Sequence, residues 1–282
     1  MCCRQGKMIL MKLEIRKKTE HMGVLVIRPV SKDVARELII KGHYSHKWLA
    51  TFGIHNFGIF REGAEADEDC LGVAAFGYMK VPKARVCESS VPGGWMIELN
   101  RMWLDDCLGR NAETILLGAS FKLLRRLDPT IVAVQSFADG RVGCGTIYKA
   151  ANFDYYGYHW TTFLHNRRSG EVKHEQNLTN ATCASGFMRT NAELLAGDMV
   201  PFRAKTYRYI YPLHRSFRFI GNGKKQPFPP YEKGTEPATW YINPERLRPR
   251  LIAALDTLLE RWPHKRGAKP EDDVAEDGRK EA

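Results

Sequence analysis

Residues 23–30 alternate apolar and polar side chains with the period of a half-buried strand. Ser31 then stands as an N-cap for a helix in which Val34, Ala35, Leu38 and Ile39 recur at helical spacing, and Gly42 is placed to end it. Two β-rich runs, 51–60 and 70–81, flank an acidic turn over 62–69 and predict an antiparallel hairpin. The run from Glu98 to Leu104 predicts the next strand. Asn111 is placed to cap a helix over 113–127 whose Ile115, Leu116, Ala119, Leu123 and Leu127 share one face, and Asp128-Pro129 stops it. The apolar run 131–137 predicts a buried strand, 146–152 a short helix, 155–164 an aromatic-rich strand and 205–213 the last strand. The polar stretch 166–180 reads as a loop in the final hairpin region. An irregular extension begins at Pro227, a helix is predicted over 244–262 with Leu247, Leu251, Ala254, Leu255 and Leu258 along one side, and the charged tail from 263 predicts disorder.

This order predicts an α/β (α+β) chain: a mixed sheet with flanking helices, in the element order of the GNAT acyltransferase fold, plus a C-terminal helical extension. The expected organisation is a leader over 1–22, a catalytic domain over 23–220, an extension with a helix over 221–262 and a tail over 263–282. The most informative stretch joins Gly94–Leu104 to the run Ile131–Asp139 through a polar turn and a helix. A strand followed by a helix whose first N–H groups are unpaired makes an anion cradle, so function is sought where these two strands splay apart.

With 282 residues and 44% hydrophobic content, the chain is long enough for one substantial core with extensions. Its 43 Lys and Arg against 32 Asp and Glu give a formal charge of +11, which favours a polyanionic partner, nucleic acid before an anionic membrane. No run approaches the roughly 20 apolar residues that span a bilayer, and the N-terminal apolar piece is too short for a signal peptide, so a cytoplasmic location and no membrane partner are expected. The seven cysteines are odd in number and lack CxxC spacing, which argues against a disulfide framework or a structural zinc site.

His43 and His46 flank Tyr44 just after a helix end, where imidazoles act as bases, phosphate contacts or metal ligands, or stand exposed while Tyr44 and Trp48 pack. Arg101 lies on an otherwise apolar strand, and a guanidinium there needs an anion: a ligand phosphate, or Glu98 or Asp139 in an internal ion pair. Arg110-Asn111-Ala112-Glu113-Thr114 opens the central helix, where it serves a co-substrate or forms an ordinary capped start. The glycine spacing of a pyrophosphate loop is missing, with only Gly109 present, which argues against acetyl-CoA. Asp139 ends a buried strand ahead of three glycines, an arrangement that suits a cleft carboxylate or a plain turn. Tyr148 follows as a hydroxyl donor or a packed core residue. Over 201–233 eight basic residues face one acidic residue and alternate with aromatic ones; Arg203, Lys205, Arg208, Arg215, Lys224 and Lys225, with Lys47, are the candidate phosphate contacts.

Lys41-Gly42-His43-Tyr44-Ser45-His46-Lys47, Glu98-Leu99-Asn100-Arg101, Arg110-Asn111-Ala112-Glu113-Thr114, Ser136-Phe137-Ala138-Asp139 with Gly143 to Phe153, and Tyr207-Arg208-Tyr209-Ile210-Tyr211 together resemble the phage Mom family of DNA-modification proteins over residues 23–215. The resemblance implies a GNAT-type enzyme that converts adenine in double-stranded DNA to its N6-carbamoylmethyl form and so shields phage or prophage DNA from restriction endonucleases. It implies catalytic roles for Arg101, Asp139, Tyr148, Thr114 and Tyr44, and a co-substrate site at Arg110, Asn111 and Thr114. Iron is the metal it implies, at His43 and Tyr44, with Asp139 as the carboxylate partner. The donor of the carbamoylmethyl (glycinamide) group, a small molecule or a carrier-bound co-substrate, is not implied, and neither is the oligomeric state. The alternative reading is an acetyl-CoA-dependent N-acetyltransferase of a small amine or protein.

Overall fold

In the computed structural model the described residues are 13–81, 84–166, 168–174 and 199–234, with positions 249, 252, 253, 256 and 260. In chain order the elements are β1 (Ile15–Thr19), β2 (Gly23–Pro29), α1 (Lys32–Gly42), β3 (His55–Arg61), β4 (Gly72–Gly77), β5 (Cys87–Glu88), β6 (Trp95–Leu104), α2 (Ala112–Leu127), β7 (Ile131–Asp139), α3 (Thr146–Ala150), β8 (Asp154–Asn166), β9 (Val172–His174), β10 (Met199–Pro212) and β11 (Arg218–Phe219). The chain divides into two compact units, Met1–His159 with Lys205–Gly234, and Trp160–Ala204 with Thr235–Ala282.

The first unit is the mixed α+β sheet expected of the acyltransferase-like fold. Its strands run in the order β1-β2-β3-β4-β6-β7-β10-β8; β1 with β2, β2 with β3, β3 with β4, β4 with β6 and β7 with β10 are antiparallel, while β6 and β7 are parallel and joined through α2. The helix α2 buries Leu116, Leu117, Phe121, Leu123 and Leu124 against Phe57, Ile59, Ala74, Phe76, Ile97 and Val134. Each fully buried Leu or Phe contributes about 2 kcal/mol of transfer free energy. Ser120, the one polar residue on that face, satisfies its hydroxyl by donating to the Leu116 carbonyl at 2.7 Å. The other sheet face carries α1, whose Ala35 and Ile39 pack on Val73 with Trp48 and Trp103. Because Val73 alternates with Ala74 along β4, the two helices occupy opposite faces.

Ser31 caps α1 as its position predicts, accepting from the Val34 N–H at 3.2 Å. Asn111 stands at the N-cap position of α2 as expected, but in a left-handed conformation (φ 67°) that Asn tolerates and without a side-chain capping hydrogen bond. Residues 15–19, inside the expected leader, form β1 and pair in register with β2. The start of the expected extension folds back onto this unit: Gln226 bridges to Tyr155, Lys233 bridges to Gly143, and Glu232 holds Lys205 and Tyr207.

In the second unit Phe163, Phe202 and Ala204 form a small cluster with Val172, and β9 pairs antiparallel with β8 within the polar stretch expected to be a loop. Of the helix expected over 244–262, the described positions 249, 252, 253, 256 and 260 are helical. The remainder of that helix and the tail from 263 lie outside the described residues. Among the described residues no helix is long and apolar enough to cross a membrane.

Candidate active site

The parallel ladder between β6 and β7 ends at Glu98↔Gln135. Beyond that rung β6 runs on to Leu104 paired with β4, and β7 runs on to Asp139 paired with β10, so the strands splay where the pattern predicts. A bulge inserts Asn100 into β6, since Ala75 pairs with Arg101 while Phe76 pairs with Leu99. Gly77 permits this bend, because a Cβ there would collide with Asn100 Oδ1 and the Thr51 carbonyl. The bulge aims Arg101 toward the α1 face, where its guanidinium lies over the Phe52 ring at 4.8 Å.

Arg101 has no carboxylate within ion-pair distance among the described residues. Its Nη1 donates to the Asn100 carbonyl at 2.6 Å, and its buried Nε has no partner. The ion pair with Glu98 or Asp139, one of the two readings of the sequence, does not form. Burial lowers the Arg101 pKa, and the nearby Tyr44, Glu98 and Tyr148 offset this only in part. A half-buried cation without an anion is costly unless a ligand supplies one.

The same charge reaches the loop after α1. Burial first, then Arg101 and His46, lower the His43 pKa to about 4, so its imidazole is neutral at neutral pH. His43 stacks on Tyr44 with centroids 4.3 Å apart, and its Nδ1 meets Ser45 Oγ at 2.9 Å. Tyr44 is 59% exposed as a residue. Desolvation of its hydroxyl and the Asp139 carboxylate raise its pKa to about 12, while Arg101 and Arg141 pull it down. Tyr44 therefore lies within electrostatic reach of both Arg101 and Asp139.

Asp139 is engaged by its neighbour. Arg141 Nε lies 3.0 Å from each carboxylate oxygen, Arg141 Nη2 donates to Oδ2 at 2.5 Å, and the Arg141 N–H donates to Oδ1 at 2.9 Å. Both oxygens are thus committed to a charge-assisted pair. Tyr148 enters from α3, which starts at Gly145 (φ 81°), where a Cβ would strike Ala138 and the Tyr148 ring. Ser136 Oγ donates to the Tyr148 hydroxyl at 3.0 Å, Tyr148 lies 3.4 Å from the Phe137 carbonyl, and burial raises its pKa.

His43, Tyr44 and Asp139, the residues expected to hold a metal, share one neighbourhood, since His43 stacks on Tyr44 and the Asp139 carboxylate acts on the Tyr44 hydroxyl. Ser45 donates to His43 Nδ1, which leaves Nε2 as the ring nitrogen for a ligand, while both Asp139 oxygens face Arg141; among the described residues no group of three or more His, Cys, Asp or Glu side chains is placed to hold a metal ion. The pyrophosphate of acetyl-CoA would meet carboxylates at the start of α2. Arg110, Asn111 and Thr114 do meet at the start of α2, beside a cleft of about 290 Å³, but Asp105, Asp106 and Glu113 line it against the single cation Arg110. Hydrogen bonds from Cys107 hold Asp105 below the usual carboxylate range, so the lining is anionic. The Thr114 hydroxyl donates to the Asn111 carbonyl at 2.8 Å.

The expected phosphate contacts divide. Lys47, Arg215 and Lys224 are exposed in the first unit, and Arg203 is exposed in the second. Lys205 is committed to Glu232 at 2.8 Å and Lys225 to Asp154 at 2.6 Å. Arg208 is half-buried: its Nη1 donates to the Asn222 carbonyl, its guanidinium lies 5.5 Å from both Phe137 and Phe219, and burial lowers its pKa. The β10 alternation that buries Tyr207 and Tyr209 on one face turns Arg208 to the other, toward Glu98.

Glu98 is the residue that sequence reasoning did not place in the site. It stands on the last parallel rung, accepting from Gln135 at 3.2 Å and from Asn100 at 3.4 Å. Burial raises its pKa, and those two amides, Arg101 and Arg208 draw it back down. A lone carboxylate inside the apolar run Trp95–Leu104 was the available signal.

The model of a family described as the Mom protein family matches residues 24–230. The chain is 35% identical over 216 residues to a protein of Escherichia phage Mu named methylcarbamoylase mom, covering 74% of this chain and 84% of that protein. Among solved structures, Arabidopsis thaliana NAA60 in complex with acetyl-CoA shares 12% identity at a TM-score of 0.41, covering 67% of this chain and 99% of that one. The ribosomal-protein-S5-alanine acetyltransferase of Vibrio fischeri shares 7% at 0.39, covering 72% and 98%.

Proposed function

The chain belongs to the Mom protein family, and on that premise we propose that it is a transferase that converts adenine in double-stranded DNA to the N6-carbamoylmethyl form, protecting phage or prophage DNA from restriction. The observation that carries the reading is the splayed end of β6 and β7, where an unpaired guanidinium, Arg101, shares one electrostatic neighbourhood with Asp139, Tyr44 and Tyr148.

Adenine N6 is paired in the duplex and its lone pair is delocalised into the ring, so the base must leave the stack before it reacts. Arg101 supplies the positive charge that holds an anionic or carbonyl oxygen of the incoming group. Tyr148, kept protonated by burial, is a hydrogen-bond donor at the base of the opening. Asp139, fixed by Arg141, orients the loop and its field rather than taking up the proton. Neutral His43 stacked on Tyr44 closes one side, and Thr114 with Arg110 and Asn111 borders the start of α2. The anionic cleft at that helix start disfavours the acetyl-CoA-dependent alternative.

Restriction digestion tests the reading. Plasmid DNA from cells making the protein should resist an endonuclease whose major-groove contacts read adenine N6, and nucleoside analysis should show a new adenine derivative. Full cleavage with unaltered nucleosides contradicts it.

A further inference from the structure

We propose that Glu98 reads the exocyclic amino group of the substrate base: its carboxylate accepts a hydrogen bond from the adenine N6–H while the base lies against Phe137 beside Arg101. The inference rests on the adenine-modifying reading above and adds to it the residue that selects the base.

Two carboxylates stand near the splay, and they differ in what they have left to offer. Asp139 spends both oxygens on the Arg141 guanidinium and backbone. Glu98 spends one contact per oxygen, each on a neutral amide at 3.2 Å or longer, and a carboxylate has about four lone-pair positions. Glu98, Arg101, Phe137 and Arg208 are all half-buried rather than sealed in the core. On β7 Gln135, Phe137 and Asp139 share a face by alternation, which puts the Phe137 ring one step beyond the Glu98–Gln135 rung.

The neighbourhood also lacks partners. Four buried side-chain polar atoms have none among the described residues, and three of them, Asn100 Oδ1, Arg101 Nε and Arg208 Nε, belong to residues flanking Glu98. Native interiors leave few such atoms, and a cluster of them marks a place completed by something else. The charged and titratable groups facing Glu98 are Arg101 on its own strand, Arg208 on β10 and Tyr148 on α3. Burial makes the Glu98 carboxylate more basic than usual, hence a stronger acceptor.

A carboxylate in this position selects by chemistry. Adenine and cytosine offer an amino group where guanine and thymine offer carbonyl oxygens, and a carbonyl set against a carboxylate is repelled rather than bound, so Glu98 rejects two of the four bases. Aromatic stacking, by contrast, holds every base.

Binding of oligonucleotides that differ only at the target base tests the assignment without requiring turnover. The wild type should bind a target adenine about tenfold more tightly than purine or N6,N6-dimethyladenine, neither of which has an N6–H, as expected for one hydrogen bond to a charged acceptor. Glu98→Gln should reduce that ratio toward one, while Phe137→Leu weakens binding to all three oligonucleotides and leaves the ratio intact. A Glu98→Gln protein that keeps the full ratio overturns the assignment. So does a wild type that modifies adenine yet binds adenine and N6,N6-dimethyladenine equally, a result independent of whether any variant folds. A wild type that neither binds nor modifies DNA removes the adenine-modifying reading itself, and this inference with it.

Discussion

Gln135 and Glu98 face each other across the last rung of the parallel ladder, Gln135 Nε2 donating to Glu98 Oε2 at 3.2 Å, and past them the two strands part. That amide–carboxylate contact fixes the inner end of the opening, while Arg101 and Asp139 stand further out on the diverging strands.

Replacing Arg101 should separate function from stability. The guanidinium is half-buried without an anion, so Arg101→Met should fold with a melting temperature equal to or above the wild type, while adenine modification falls at least about 100-fold, on the scale of losing a charge-stabilising donor. Thermal unfolding and nucleoside analysis of the same preparations check both halves. A variant that unfolds markedly earlier would show that Arg101 is structural.

His43 should titrate far below an ordinary histidine. Its pKa is lowered to about 4 by burial and by Arg101. A group whose charged form is disfavoured in the folded state binds more protons unfolded, so its contribution to stability is present above the unfolded pKa near 6.5 and is lost as pH falls toward 4. Imidazole resonances followed by NMR should stay those of the neutral ring down to about pH 5, and Arg101→Met should move the midpoint upward. An unchanged midpoint would place Arg101 outside the range of His43.

Asp139 and Arg141 should behave as one unit. Asp139→Asn leaves the Arg141 guanidinium without its charged partner and should cost about 1–3 kcal/mol, the range for a hydrogen-bonded charge pair, in denaturant unfolding. Arg141→Gln should lower modification as much as Asp139→Asn, because a loose carboxylate no longer shapes the field at Tyr44. Wild-type activity in Arg141→Gln would show that the pair is dispensable.

Phosphate contacts should sort by exposure. Substituting Lys47, Arg215 or Lys224 with Ala should each reduce the slope of log affinity against log salt by roughly 0.9 where the residue meets a phosphate. Lys205→Ala should leave the slope unchanged and instead expose segment 226–234 to proteolysis, since Lys205 anchors Glu232. A drop in slope for Lys205→Ala would assign it to DNA.

Periodicity made most of the frame legible. Ser31, the helix face of Leu116 and Leu123, and the apolar run 131–137 each satisfy local rules that tertiary packing reinforces. Arg101 was legible for a different reason, since a guanidinium in an apolar strand violates those rules. What stayed hidden depended on partners distant in sequence or on an uncommon backbone. The face of Arg208 is set by which side of β10 meets Glu98, the freedom of Asp139 by an i, i+2 arginine whose chain folds back on it, and the left-handed Asn111 by the turn ahead of it. Residues 15–19 read as a leader because their charges hid an edge strand paired through its backbone.

The most direct test of the central claim is mass spectrometry of nucleosides from plasmid DNA propagated with the wild-type protein and with Arg101→Met. The account predicts a deoxyadenosine bearing a carbamoylmethyl group with the wild type and its absence with the variant. Ordinary deoxyadenosine alone in the wild-type sample, or the same modified nucleoside in both, would contradict it.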